Sequence, residues 1–148
     1  MLSYDYIFVA MVTLAALSDV FFRRIPNALN FSILLSGILV TLIDNGLWEA
    51  GWSVLAAATT LGVLLMPFAL GVYRGGDVKL CMGISTWLGL EQGLWVIGLG
   101  VIGGGVLGFL VLFFNLSTKK KSSVPMAVCF TCSGLWIKYF GIPFQSFG

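Results

Sequence analysis

The chain has 148 residues, of which 59% are hydrophobic and 9% charged, with a mean hydropathy of +1.02. A soluble domain carries about 25% charged residues, so this chain lacks the polar surface to cover a globule in water and reads as one membrane-embedded domain over residues 1–148. A net charge of +2 with no histidine gives no electrostatic footprint for nucleic acid.

Hydropathy predicts an all-α, polytopic protein of about six helices. The apolar blocks run from Tyr6 to Phe22, Ala28 to Ile43, Gly51 to Tyr73, Leu80 to Leu90, Leu94 to Leu116 and Val124 to Tyr139. A helix crosses hydrocarbon with ~20 residues. The third and fifth blocks fit that length, whereas the first, second and sixth need flanking interfacial residues to complete a span. The fourth is too short to cross alone. If it crosses, its helix begins at Gly75 or Gly76, and Asp77 lies below the membrane surface. Irregular backbone at that depth survives only where it lines a wet cavity or is buried in protein.

Charge orients the bundle. Arg23 and Arg24 fall in the first loop, Arg74 and Lys79 around the third, and Lys119, Lys120 and Lys121 in the fifth; only Lys138 lies elsewhere. The positive-inside rule makes the shared side cytoplasmic, with both termini outside. Asp5, Asp44, Glu49 and Glu91 fall on the opposite side, and Trp48, Trp52, Trp87, Trp95 and Trp136 map near the outer ends as interfacial anchors. In this topology Asp19 and Asp77 share one face and one depth. An ionisable group at or inside a bilayer is costly and marks a functional site by default.

The stretch from Asp19 through Arg23-Arg24-Ile25-Pro26-Asn27, and the stretch Gly75-Gly76-Asp77-Val78-Lys79-Leu80, carry a family resemblance. They resemble the two aspartate motifs of the type IV prepilin peptidases, the second being Gly-x-Gly-Asp followed by x-Lys-Leu. The short chain is similar to the minimal branch serving tight-adherence (Flp-type) pili, which lacks a methyltransferase portion. Val124-Pro125-Met126-Ala127-Val128 resembles the start of that family's last helix, with Met126-Ala127 in place of Tyr-Gly. Arg74 stands where the second motif opens with glycine, which predicts a less permissive loop and places a cation three residues from Asp77.

The resemblance implies an aspartic endopeptidase with Asp19 and Asp77 as its catalytic pair and Gly75, Gly76 and Lys79 as supporting motif residues. It implies a pilin precursor as substrate, cut at the cytoplasmic face of the bacterial inner membrane. Two carboxyls sharing a site hold one proton between them. The ionised partner takes a proton from water and the neutral one polarises the peptide carbonyl, which needs no metal or other cofactor. Gly76 beside Asp77 would allow close substrate approach or a positive φ.

Other readings compete. Asp19 and Arg23 are spaced for a helix-end ion pair, and Asp77 has Arg74 and Lys79 within reach. Lys79 reads equally as a snorkelling anchor or a lipid-phosphate contact, and Lys119 to Lys121 as a lipid-facing loop. Asn30 and Asn115 suit interhelical hydrogen bonds. Cys129 and Cys132 form a C-x-x-C inside an apolar helix with no second pair, which favours packing over redox or zinc chemistry. Gly100, Gly104 and Gly108 recur every four residues, as helix–helix packing within the bundle or a homodimer would use them. A pilus-assembly scaffold without activity and a small proton-coupled carrier are the alternative functions. Carriers bind near the midplane, which sets the second at odds with two acids at one face.

Overall fold

The computed structural model describes residues 2–115 and 126–141. The described residues form five helices: α1 (Leu2–Phe22), α2 (Asn27–Ala69), α3 (Gly75–Leu88), α4 (Leu90–Asn115) and α5 (Met126–Phe140). Three of them are long and apolar enough to cross a membrane. The all-α membrane class expected from composition holds. Lys119 to Lys121 and Pro125 lie outside the described residues.

The second and third apolar blocks join into the single 43-residue element α2, broken at Gly46 with φ 87° and ψ −178°. That conformation is essentially restricted to glycine. The halves on either side of Gly46 fold back along one partner, because Gly37 and Ser53 both reach Thr86, while Asn30 and Phe68 both reach the Gly75–Gly76 turn. The sequence therefore has two helical segments here, as the hydropathy implies, but a single residue replaces the loop expected between them. A Cβ at Gly46 would meet nothing within 4 Å, so its role is conformational alone. Gly46→Ala is expected to destabilise the fold by about 1–3 kcal/mol, read as a lower thermal midpoint in detergent. Gly51→Ala, in the following helical turn with equally open space, should leave the midpoint unchanged or raise it.

Helix α3 is the centre of the bundle. It begins at Gly75, as a crossing fourth segment requires, and its 14 residues rise about 21 Å at about 1.5 Å each, against about 30 Å of hydrocarbon. Helix α2 packs on it from both halves. Where apolar faces meet lipid as readily as each other, hydrogen bonds and close packing select the partner. Ser53 Oγ donates to Thr86 O at 2.6 Å, and Trp87 Nε1 donates to Ile33 O at 3.0 Å. Ser85 gives its hydroxyl proton to Cys81 O at 2.9 Å, so the 2.8 Å contact between Thr60 and Ser85 has Thr60 as donor. Trp87 is thus a structural tie, not the simple interfacial anchor expected; Trp48, Trp52 and Trp136 are exposed.

Helices α4 and α5 close the other side. A Cβ at Gly100 would collide with the Phe130 ring and one at Gly104 with Met126 Sδ, so both glycines serve packing inside the bundle. Gly108 continues α4, and its surroundings, like those of Asn115, lie outside the described side chains. Cys129 is buried and Cys132 exposed on one helix, both as free thiols. At the end away from the arginines, Lys138 Nζ pairs with Asp5 at 2.7 Å and lies 4.9 Å from the centre of the Phe8 ring. This pair ties α1 to α5 and gives a partner to Lys138, the basic residue expected away from the arginines.

Candidate active site

Asp19 sits in the last turn of α1 and Asp77 in the first turn of α3, and both side chains are withdrawn from the surface at 6% and 4% exposure. They line one cavity of about 190 Å³ together with Arg23, Arg24, Ile25, Asn27, Arg74 and Gly76. Residues 58 positions apart in sequence are thereby brought to one chamber. Among the described residues no three His, Cys, Asp or Glu side chains come together as a metal site needs.

The first turn of α3 explains how Asp77 is held. Arg74 is the N-cap residue, with φ −87° and ψ 153°, and Asp77 at the third helical position accepts from the Arg74 backbone N–H at 3.3 Å. A guanidinium has no acceptor, so this is the carboxylate half of a capping box. Gly75 and Gly76 are the first two helical residues. Neither has a positive φ, and a Cβ on either would make only ordinary contacts, 3.7 Å to Phe68 and 3.6 Å to Ile25. The positive φ expected at Gly76 is therefore not used. What the glycine leaves is a bare stretch of cavity wall beside Asp77. The extended conformation at position 74 is open to any residue, so Arg74 costs the loop none of the freedom that a glycine there would supply.

The turn after Asp19 is the more unusual piece. Arg23 has φ 52°, the one positive φ outside glycine among the described residues, a conformation costing about 1–2 kcal/mol for an ordinary side chain. It is held on three sides. Arg23 N donates to Asp19 O at 2.9 Å, Ser18 Oγ donates to Arg24 O at 2.9 Å, and Arg74 Nη1 donates to Arg23 O at 3.1 Å. The last bond links the end of α1 to the cap of α3. The residues alone suggest a topological anchor or an Asp19 partner at Arg23 and an Asp77 partner at Arg74, and neither reading gives this tie. The only signal was the departure of Arg74 from the motif.

Two further residues secure the entry of α2. Asn30, 2% exposed, donates through Nδ2 to Gly76 O at 3.3 Å, an interhelical bond of the kind expected for it. Lys79 Nζ donates to Asn27 Oδ1 at 2.9 Å, so the motif lysine is tied to α2 through a residue that also lines the chamber. Gly75, Val78, Lys79 and Met82 line a separate apolar groove of about 430 Å³. Helical spacing puts that face of α3 on the side away from Asp77.

Residues 6–109 match the type IV leader peptidase family. The chain belongs to that family. Its matched span includes both aspartates and the whole of α2 and α3, and ends before α5. No curated protein and no solved structure matches the chain. Membership carries the coarse activity with it: the family is one of leader-peptidase-type proteases.

Proposed function

We propose that the chain is an aspartic endopeptidase in which Asp19 and Asp77 act as a pair on one water and one peptide bond. The observation that carries this is their placement in one small chamber, each at the end of a different helix and each withdrawn from the surface. In this reading the two carboxyls share a proton when substrate is bound. The ionised one accepts a proton from the attacking water as the neutral one polarises the scissile carbonyl. The pair works as a unit, so acid and base roles are not divided between them.

The substrate of this reading is an Flp-type pilin precursor, cut where its leader meets the apolar segment. The arginine-rich end of the bundle faces the cytoplasm of a bacterial inner membrane under the positive-inside rule. Counting the halves of α2 separately leaves six helical segments, which this reading takes as six crossings of one domain. The short α3 then leaves Asp77 recessed near the interface, where such a junction would lie. A carrier is disfavoured by the position of the chamber at one end of the bundle. A scaffold without activity loses its main support, since Arg74 is accommodated without strain.

The test is co-expression with a tagged Flp-type precursor and the mass of the pilin N-terminus. Release of an intact leader at one bond supports the endopeptidase. An uncut precursor, with Asp19 and Asp77 both present and the chain in the membrane, speaks for the scaffold.

A further inference from the structure

The position at which this chain departs from its family's second motif is the position that ties the two aspartates' helices together. Arg74 is the N-cap of α3, three residues before Asp77, and its guanidinium reaches 51 positions back to the carbonyl of Arg23. That carbonyl belongs to the residue with the left-handed backbone, four residues after Asp19. The neighbouring carbonyl, of Arg24, is held by Ser18, directly before Asp19. Two successive carbonyls of one strained turn are thus gripped, one from α1 and one from α3. A backbone held in a sparsely populated region persists only when its surroundings over-determine it.

We propose that Arg74 is a positioning residue, which fixes the turn after Asp19 against the cap of α3 and so sets Asp19 and Asp77 in register for their shared chemistry. The inference rests on the aspartic reading given above. A glycine at position 74 can cap α3 through its backbone equally well, because the bond to Asp77 comes from the backbone N–H. It cannot reach Arg23. Lysine keeps the charge but not the planar fork that lets arginine direct one N–H to a carbonyl on another helix. Ser18 and Arg74 each leave the turn gripped when the other is removed, so their losses are coupled.

Cleavage of a tagged Flp-type precursor is measured for the unsubstituted chain, Arg74→Gly, Arg74→Lys, Ser18→Ala and the Ser18→Ala/Arg74→Gly double variant, with Asp19→Asn and Asp77→Asn alongside. Misplacing a reacting group by an ångström costs up to about a hundredfold. Arg74→Gly should therefore lower kcat about tenfold or more, with KM and thermal midpoint little changed. Arg74→Lys should stay nearer to Arg74→Gly than to the unsubstituted chain, and the double variant should lose more than the product of the singles.

A readout independent of cleavage is oxidation of an Asp19→Cys/Asp77→Cys pair, followed by mass. The disulfide should form more slowly once Arg74→Gly is added. Full recovery by Arg74→Lys would assign the effect to charge and overturn the tie. Unchanged kcat and unchanged disulfide rate in Arg74→Gly would overturn it as well. Cleavage retained by both asparagine variants removes the aspartic reading instead, and the positioning role with it.

Discussion

Replacing Asp19 or Asp77 by asparagine is expected to lower leader removal by about a hundredfold to ten-thousandfold, the range over which a positioned acid or base acts. The substitution keeps shape and removes only the ionisable proton site. At position 77 the asparagine oxygen can still accept from the Arg74 backbone N–H, the 3.3 Å bond that caps α3. At position 19 the backbone bond from Arg23 to the Asp19 carbonyl is untouched. Thermal midpoint and membrane level should therefore match the unsubstituted chain. Loss of cleavage would then belong to chemistry.

The double variant sharpens the prediction. If the carboxyls act as one unit, removing the second changes little once the first is gone, as with other groups that share a single catalytic task. Asp19→Asn/Asp77→Asn should cut no more slowly than the slower single variant. Losses that multiply would mean that each acid contributes separately, and the shared-proton mechanism would not stand. The readout is the mass of the pilin N-terminus at matched enzyme levels.

Much of this arrangement was legible in the residues. Composition fixed the membrane class, and the apolar blocks gave the helices. The shortness of the fourth block predicts that, if it crosses, its helix starts at Gly75 or Gly76, because too few residues follow to cross otherwise. Asp19 and Asp77 stood out because carboxyls are costly in such a chain. What stayed hidden depends on distance across the fold. Hydropathy marks a polar gap between Ile43 and Gly51 but not that Gly46 alone makes the reversal, since the flanking residues remain helical. The hydroxyls of Ser53, Thr60 and Ser85 carry no pattern that names partners on another helix. Arg74 announced itself only as an exception to a motif. Its partner is a backbone carbonyl 51 positions away, and a carbonyl has no sequence signature.

The second large effect is expected on a helix that carries neither acid, at Gly100 of α4. Its Cβ position is occupied by the ring of Phe130, a fully buried side chain of α5, so Gly100→Leu cannot be absorbed by a rotamer change. Overpacking of this kind costs about 1–3 kcal/mol and occasionally more, and the thermal midpoint should fall accordingly. Gly105 lies on the same helix with nothing within 4 Å, so Gly105→Leu should leave the midpoint unchanged or raise it. Equal damage from both would show that α4 needs its glycines for backbone reasons and not for α5. Phe130→Ala placed in the Gly100→Leu background returns the lost space. That pair should be less unstable than the sum of its members, as contacting residues are. The consequence reaches the site through one ring. Phe130 meets Tyr73 edge-on, with centroids 5.8 Å apart, and Tyr73 is the buried residue directly before Arg74. Displacing Phe130 therefore disturbs the anchor from which Arg74 reaches Arg23 and Asp77 enters the chamber. Gly100→Leu should lower the rate of leader removal even in the fraction that stays folded, whereas Gly105→Leu should not.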